Sequence, residues 1–382
     1  MIDANPILKK ELTGIGNYTY FFIKNLFLCK NKDQKIVFFY NSKLKPFFNQ
    51  YLNELPAEAL ESIEMGFKYR FPPDLEIGRF TRRINDFFIW RDFKNIPVSI
   101  FHGTSFFLPS LPRKIKQVVT IYDVAFIRYL DLENSYFRKR LISLIGYSLK
   151  KAEKIIAISQ TTKNDLVYFF NVDDKKIEVI YGGVDEDFAV EFSEDEKNRF
   201  ILDNGLPDNF LLFVGSINIR KNLLTLIKAF ANLKSNDLHL VVVGKNGNQY
   251  NDVMKTIENL SVENIHFLGY CPKSMLIKLY KTAVAYICPS LYEGFGLPVL
   301  EAMRLGCPCI VSNNSALEEL FSDSAILIDP NDIDSICEGV NKIIQRNDLR
   351  KKYSELGLAK SQEFSWKNTA KQTLELYRES CF

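Results

Sequence analysis

The sequence predicts an α/β protein made of two doubly wound, Rossmann-like domains that face each other across a cleft. The chain has 382 residues, which is more than one ordinary hydrophobic core accommodates. Short apolar runs alternate with longer amphipathic stretches along both halves, and most of these runs are apolar at nearly every position. Such runs are typical of parallel strands that helices cover on both faces.

The predicted strands recur along the sequence in both halves of the chain. Apolar runs of the first half lie at 35–40, 98–101, 117–122, 154–159 and 177–181. Those of the second half lie at 209–215, 238–244, 265–269, 284–289, 308–312 and 325–328. A polar stretch at 185–208 interrupts the alternation, and we interpret it as a linker. The predicted domains are therefore residues 1–187 and residues 188–365.

Composition and short motifs argue against several classes of protein. The net charge of +3 predicts no general affinity for nucleic acid. The apolar runs are far shorter than the roughly 20 residues of a membrane span, and the N-terminus has no long apolar core. Seven scattered cysteines indicate reduced thiols in the cytoplasm. Two Asp-x-Asp spacings, Asp185/Asp187 and Asp332/Asp334, are common on loops and helix caps, so we expect no metal there.

A pair of basic residues follows the strand predicted at 209–215. Arg220 and Lys221 precede Asn222, which is suited to begin a helix, so both lie where a strand passes into a helix. Exposed N–H groups at a helix start attract anions, and a neighbouring cation adds a full charge. The pair is a candidate phosphate site. Two solvated basic residues on a loop are the alternative that the sequence leaves open.

The segment SLYEGFGLPVLEAM, residues 290–303, places two carboxylates around a glycine-rich turn. Its glycines allow the backbone to approach a ligand closely, and we expect Phe295 to pack beside that ligand. Glu293 precedes the turn, and Glu301 follows on a predicted helix whose side chains lean towards its N-terminus. Both acids can accept hydroxyl groups, such as those of a ribose. The alternative is that Glu293 caps a helix and Glu301 lies on the surface.

This region carries a resemblance to a known family. PSLYEGFGLPVLEAMRLGCPCIVS resembles the donor-binding signature of the retaining glycosyltransferases of family 4, which have the two-domain GT-B fold. Similar segments follow the family's order over nearly the whole chain: TGIGNYTYFFIKNL, IFHGTSFFLP, TIYDVAF, KIIAISQTTKNDL, VIYGGVD, VGSINIRKN, FLGYCP and FSWKNTAKQTLELYRE. The resemblance implies transfer of a hexose from a nucleotide sugar. It also implies that a last helix, within 366–382, packs back on the first domain.

The resemblance implies roles for single residues. In such enzymes the residue matching Glu301 binds the ribose, the residue matching Glu293 lies against the donor sugar, and the residue matching Lys221 binds the diphosphate. Many relatives carry an arginine where this chain has Ser216, so we expect Arg220 to supply the second cation. The predicted catalytic residues are Glu293, Lys221 and Arg220. The predicted donor-binding residues are Glu301, Gly294, Phe295, Gly296, Leu297 and Ser216. No metal and no cofactor is expected.

The first half is expected to bind the acceptor. GIGNY, residues 14–18, resembles the start of a dinucleotide fingerprint, but Thr19 occupies the third glycine position, which favours a glycine loop that admits acceptor or phosphate. His102 is the best placed of three histidines, and a structural histidine is an equal alternative. Tyr122 stands where relatives carry a histidine, and it has no positive charge to offer. The residues assigned to this side are Gly14, Gly16, Tyr122, Asp123 and His102.

These observations lead to one function hypothesis with alternatives. We expect a metal-independent hexosyltransferase that takes mannose from GDP-mannose, the favoured donor, to a saccharide or lipid-linked saccharide in surface-polysaccharide assembly. A catalytically silent nucleotide-sugar-binding scaffold and an epimerase of the same fold are the alternatives. Basic and aromatic residues at 68–94, including Arg79, Arg82 and Arg83, suit either the inner face of the cytoplasmic membrane or an ordinary amphipathic helix.

Overall fold

Two parallel sheets, one in each of two units, form the framework of the protein. The computed structural model describes residues 1–9, 12, 14–31, 33–41, 63–67, 97–129, 135–190, 193–233 and 237–381. The first unit comprises Met1–Gly182 and Trp366–Phe382, and the second unit comprises Gly183–Ser365. The basic and aromatic segment at 68–94 lies outside the described residues.

The sheet of the first unit has the Rossmann strand order. Its strands are β1 (Ile2–Asp3), β2 (Val37–Asn41), β3 (Ile63–Phe67), β4 (Ile100–Gly103), β5 (Lys116–Ile121), β6 (Lys154–Ala157) and β7 (Ile177–Val179). They lie in the order β3-β2-β1-β4-β5-β6-β7, and each described pairing is parallel. The direction of winding therefore reverses between β1 and β4.

The sheet of the second unit repeats this topology. Its strands are β8 (Phe210–Val214), β9 (His239–Val243), β10 (Ile265–Gly269), β11 (Ala285–Cys288), β12 (Cys309–Ser312) and β13 (Ile326–Ile328). Their order is β10-β9-β8-β11-β12-β13, again with parallel pairings. On β8, Leu211, Leu212 and Phe213 are all buried, as expected for a strand covered on both faces. The predicted doubly wound α/β class is confirmed.

Helices cover both sheets in the described part of the chain. They are α1 (Gly14–Cys29), α2 (Ala125–Arg128), α3 (Ser135–Lys151), α4 (Gln160–Phe170), α5 (Glu194–Asn204), α6 (Leu223–Asn232), α7 (Tyr250–Leu260), α8 (Lys273–Thr282), α9 (Leu297–Arg304), α10 (Ser315–Phe321), α11 (Ile333–Gln345), α12 (Asn347–Ser361) and α13 (Trp366–Cys381). None of these helices has both the length and the apolar character that crossing a membrane requires.

The last helix belongs to the first unit, where it packs on α1. The ring of Trp366 lies 4.9 Å from that of Tyr18 and 5.8 Å from that of Phe21, measured between centroids. The hydroxyl of Thr369 donates a hydrogen bond of 2.7 Å to the carbonyl of Tyr181. These contacts hold together the two chain segments that make up the first unit.

The polar stretch that the sequence indicates as a linker is partly helical. Ser193 and Glu196 form a capping box at the start of α5, each side chain accepting a hydrogen bond from the other residue's backbone N–H. Phe200 and Ile201 of this helix are buried in the second unit. The linker interpretation is therefore wrong for α5, because two apolar residues among many charges suffice to anchor a short helix.

The two Asp-x-Asp spacings have a local structural role. Asp332 begins α11 by accepting a hydrogen bond of 2.9 Å from the backbone N–H of Asp334. Asp185 accepts one of 3.5 Å from the N–H of Asp187 at the start of a short 3-10 helix, Glu186–Phe188. Among the described residues, no three His, Cys, Asp or Glu side chains form a cluster that could hold a metal ion.

Candidate active site

The predicted donor residues lie at the point where the second sheet reverses its winding. Strands β8 and β11 are neighbours there, although they are distant in sequence. The loop after β8 carries Arg220 and Lys221, and the loop after β11 carries Glu293. Loops that follow adjacent strands across such a switch point diverge and leave a crevice in which parallel sheets bind ligands.

Lys221 is held against the backbone by the way its loop is built. Asn218 begins a 3-10 helix, Ile219–Lys221, and its side chain accepts a hydrogen bond of 3.1 Å from the N–H of Lys221. A Cβ at Gly215 would lie 3.2–3.4 Å from three carbons of the lysine side chain, so the aliphatic part of Lys221 passes directly over this glycine. Ser216, the next residue, is exposed.

Glu293 joins the two cations into one cluster. Its Oε1 accepts a hydrogen bond of 2.6 Å from Nζ of Lys221, and its Oε2 accepts one of 2.6 Å from Arg220. The hydroxyl of Ser290 donates a third bond, of 2.7 Å, to Oε1. Arg220 also donates to the carbonyl of Tyr292 at 2.9 Å. The structure thus brings together the three residues that we predict to be catalytic.

The electrostatics of this cluster keep Glu293 ionised. Burial of the carboxyl acts to raise its pKa, but the charges of Arg220 and Lys221 and the hydrogen bonds outweigh burial and hold the pKa at about 2. Only 7% of the Glu293 surface is exposed, whereas the side chains of Arg220 and Lys221 are 25% and 12% exposed. The cluster has a net positive charge, and its most exposed side chains are the two cations. Both properties suit a site that binds an anion.

Three polar residues, whose role in the site the sequence did not reveal, hold this arrangement in place. Asn222 donates hydrogen bonds to the carbonyls of Pro289 and Pro330, at 3.1 and 2.7 Å, and so ties the loop after β8 to the loops after β11 and β13. Ser315 accepts the backbone N–H of Glu293 at 3.0 Å. Ser290 is the third. Their partners lie 3 to 108 residues away along the chain, and most of these spacings leave no local signal in the sequence.

The glycine-rich turn is determined by packing as well as by backbone freedom. Gly296 has φ of 104°, and a Cβ there would lie 2.9 Å from Leu317, so any other residue is both strained and crowded. Phe295 is 4% exposed, and its ring packs edge-on against Phe364 at 5.8 Å. The ring is thus part of the core, and its position beside a ligand stays a prediction. Gly294 is buried too, and Leu297 is partly exposed.

Glu301 has different surroundings from Glu293. It lies in the second turn of α9, is partly buried, and accepts a long hydrogen bond of 3.5 Å from the hydroxyl of Tyr280. Burial raises the pKa of Glu301 to about 8, although the charge of Lys273 and the Tyr280 hydroxyl act in the opposite direction.

His102 belongs to the interior of the first unit. It lies within β4 rather than after it, and it is 2% exposed. Its Nδ1 lies 2.6 Å from the hydroxyl of Tyr377, and its Nε2 lies 2.7 Å from that of Thr120. Burial lowers the pKa of His102 to about 3. These contacts favour the structural alternative, since both ring nitrogens already have partners.

The other residues assigned to the first unit are also engaged in its packing. Tyr122 is buried, and its hydroxyl donates a hydrogen bond of 2.7 Å to the carbonyl of Thr104. Asp123 is partly exposed and accepts the N–H of Ala125 at 3.1 Å. The expected glycine loop is instead the first turn of α1, where Gly14 is exposed and Gly16 is buried. A Cβ at Gly16 would lie 3.0 Å from the carbonyl of Pro6, which explains this glycine by close packing.

Comparison with known proteins identifies the class that this fold and site define. The family model for glycosyl transferases group 1 matches residues 194–360, and the model for glycosyltransferase family 4 matches residues 35–188. The two matches together span more than four fifths of the chain. The protein is a glycosyltransferase with the GT-B type of fold, and it is similar to the family 4 glycosyltransferases.

Individual relatives agree with this assignment. The chain is 27% identical to O-antigen chain mannosyltransferase B of Escherichia coli over 99% of both chains. It is 29% identical to a Campylobacter jejuni 4-alpha-N-acetylgalactosaminyltransferase over 63% of this chain and 64% of the relative. The crystal structure of Anabaena Alr3699/HepE with UDP and glucose superposes with a TM-score of 0.75 at 16% identity, covering 99% of this chain and 98% of the other. This last likeness concerns the fold.

Proposed function

We propose that the protein is a retaining mannosyltransferase that uses GDP-mannose. In this proposal the second unit binds the donor, and the first unit binds a saccharide or lipid-linked saccharide acceptor. The relative that is similar over its whole length is named as an O-antigen chain mannosyltransferase. The Campylobacter relative is named for a diphospho-undecaprenol-linked substrate. These names support mannose as the sugar and surface polysaccharide as the product. We propose the inner face of the cytoplasmic membrane as the place of action.

The observation that carries the proposal is the cluster of Arg220, Lys221 and Glu293 at the switch point of the second sheet. Cleaving the bond between a sugar and a diphosphate leaves negative charge on the diphosphate, so cations held beforehand in the right place stabilise the transition state. Both cations are fixed by bonds of 2.6 Å to one carboxylate, which removes the cost of ordering them during the reaction.

Most of the predicted residues of the second unit then have a chemical task. Lys221 and Arg220 bind the diphosphate through their exposed N–H groups, and the N–H groups of Gly294 and Phe295 add neutral donors. Glu293 orders the cations and offers its carboxylate edge to hydroxyls of the sugar. Glu301 accepts the two ribose hydroxyls, and Leu297 and Ser216 border the nucleotide. We expect neither a metal nor a cofactor to be required.

Retention of configuration fits a reaction on one face of the sugar. The bond between the anomeric carbon and the diphosphate oxygen breaks, and the acceptor hydroxyl bonds to that carbon from the same side. The acceptor's proton passes to the departing diphosphate, which leaves as GDP. This route needs no protein nucleophile. The role of the protein is to hold the diphosphate on its cations while the carbon is electron-poor.

The proposal is tested by following nucleotide release from purified protein. A panel of GDP-mannose, UDP-glucose and ADP-glucose is incubated with and without a mannose-terminated lipid-linked acceptor. We expect GDP release from GDP-mannose that depends on the acceptor, and an α-linked product by NMR. Release from another nucleotide sugar alone would overturn the choice of donor. A β-linked product would overturn retention.

A further inference from the structure

The start of α10 binds both backbone polar groups of Glu293. Strands β11 and β12 are paired in parallel, so the loops that follow them are neighbours. The hydroxyl of Ser315 accepts a hydrogen bond of 3.0 Å from the N–H of Glu293, and the carbonyl of Glu293 accepts one of 3.2 Å from the N–H of Ala316. Two consecutive residues of α10 therefore fix the backbone of Glu293, and with it the direction in which the side chain leaves that backbone.

Asn314 links this contact to the hydroxyl that binds the carboxylate of Glu293. The side-chain oxygen of Asn314 accepts a hydrogen bond of 2.9 Å from the Ser315 hydroxyl, and its amide nitrogen donates one of 3.5 Å to the carbonyl of Ser290. The Ser290 hydroxyl in turn donates to Oε1 of Glu293 at 2.7 Å. These bonds form a closed ring through four residues, so a movement of Glu293 disturbs several of them at once.

Ser315 holds Glu293 from a backbone conformation that a side chain disfavours. Its φ is 53°, in the left-handed region that residues other than glycine seldom occupy. Glycine adopts such a φ without strain but has no hydroxyl to offer. Strain of this kind persists only where the surrounding structure imposes it, and it is concentrated at functional sites. A strained serine beside Glu293 is the pattern expected where a hydroxyl is kept for its contact rather than for stability.

We propose that Ser315 is a positioning residue for transfer, supported by Asn314, and that it acts by fixing Glu293. The carboxylate of Glu293 binds both cations of the site at 2.6 Å, so the placement of this acid determines theirs. The inference rests on the proposed function, in which those cations, Arg220 and Lys221, bind the leaving diphosphate. Ser315 itself need not touch the donor.

The test compares the rate of transfer with stability in variants that lack the hydroxyl. Ser315→Gly and Ser315→Ala both remove it, but only glycine relieves the strain, so the urea midpoint should be higher for Ser315→Gly than for Ser315→Ala. Acceptor-dependent nucleotide release from the donor that the parent uses, GDP-mannose in our proposal, gives kcat and KM. We expect both variants to lower kcat by about 10- to 100-fold, because a small misplacement of catalytic groups slows the reaction this much. The KM for the donor should change much less, since the loss concerns the transition state.

Asn314→Ala provides a second variant that leaves the backbone of Ser315 unchanged in composition. It removes the acceptor of the Ser315 hydroxyl and the donor to Ser290. It should lower kcat in the same sense, again with a much smaller change of KM. A fall in kcat without the change at position 315 ties the effect to the ring of hydrogen bonds.

Ser261 provides the matched control for the strained backbone. It ends α7 with φ of 52° and is exposed, whereas the loops of the site follow other elements, β8, β11 and β12. Ser261→Gly should again have a higher urea midpoint than Ser261→Ala. Both variants should keep the kcat of the parent.

The outcomes separate the inference from the proposed function, with Lys221→Met measured in the same assay. If Lys221→Met leaves kcat unchanged, the proposed role of the cations fails. If Lys221→Met slows transfer while Ser315→Gly and Asn314→Ala do not, the cations keep their role and the inference about Ser315 is overturned. It is also overturned if kcat at position 315 follows the urea midpoint, with Ser315→Gly as fast as the parent and only Ser315→Ala slow.

Discussion

Replacing Glu293 by glutamine should destabilise the second unit by an amount that depends on pH. The pKa of this carboxyl falls from its ordinary value of 4.5 to about 2 in the folded protein, because Arg220 and Lys221 outweigh the effect of burial. A difference of this size corresponds to about 3 kcal/mol of stability at pH 7. The side chain is only 9% exposed, so solvent screening reduces this figure little. Glutamine keeps the shape but leaves two cations without their counter-charge.

The sign of the pH dependence follows from the lowered pKa. The stabilisation is fully present above pH 4.5, where the unfolded carboxyl is ionised too, and it is lost as pH falls from 4.5 towards 2. Urea denaturation followed by circular dichroism at several pH values measures it. The difference between parent and Glu293→Gln should be about 3 kcal/mol at pH 7 and should shrink by about 1.4 kcal/mol per pH unit below 4.5.

A matched acid provides the control. Glu355 on α12 pairs with Lys351 at 4.0 Å, and its side chain is 69% exposed. Glu355→Gln should change the free energy of unfolding by less than about 0.5 kcal/mol. The reasoning is refuted if Glu293→Gln is as mild as Glu355→Gln at pH 7. It is equally refuted if the loss caused by Glu293→Gln stays constant between pH 7 and pH 3.

Three further predictions concern transfer, the turn and the first unit. Lys221→Met should slow transfer by roughly 10²–10³, since it removes a preorganised charge at the leaving group; initial rates at saturating donor measure this, and an unchanged rate contradicts it. Gly296→Ala should lower the free energy of unfolding by about 2–4 kcal/mol, because its φ of 104° is unfavourable and the new Cβ meets Leu317 at 2.9 Å. Gly205→Ala, at φ of 59° in open space, should cost only about 1 kcal/mol by the same urea titration. His102→Gln should make stability less sensitive to acid between pH 6.5 and 3. The pKa of His102 in the folded protein is lowered to about 3, so the parent loses stability in this range as the unfolded histidine takes up a proton. Equal slopes of stability against pH for parent and variant would contradict this.

The strands and the two glutamates could be predicted from the sequence because their signals are local. Runs such as FLLFV at 210–214 are apolar at every position, and β8 coincides with that run. The Gly-Phe-Gly turn and the basic pair after β8 are equally local. What the sequence does not contain is the partner of each group. Glu293 meets Lys221 across 72 residues, and Phe295 meets Phe364 across 69.

Tertiary contacts decide between alternatives that the local sequence leaves open. Phe295 between two glycines suits a ligand contact, yet a second phenylalanine makes it part of the core. His102 suits a loop at the end of a strand, yet β4 extends beyond it and two hydroxyls occupy its nitrogens. Helix α5 is the exception, because Ser193 and Glu196 form a capping box that can be recognised from sequence.

The surroundings of the two glutamates shift their pKa values in opposite directions. Glu293 must be an anion before the donor arrives, because two cations separated from it by 2.6 Å would otherwise repel each other and disperse. Burial instead raises the pKa of Glu301 to about 8, so this carboxyl gives up its proton far less readily than Glu293 does. In the proposed function the first acid therefore orders the cations that bind the diphosphate. The second acid is proposed to accept the ribose hydroxyls, and such donors favour its carboxylate because they stabilise the charged form.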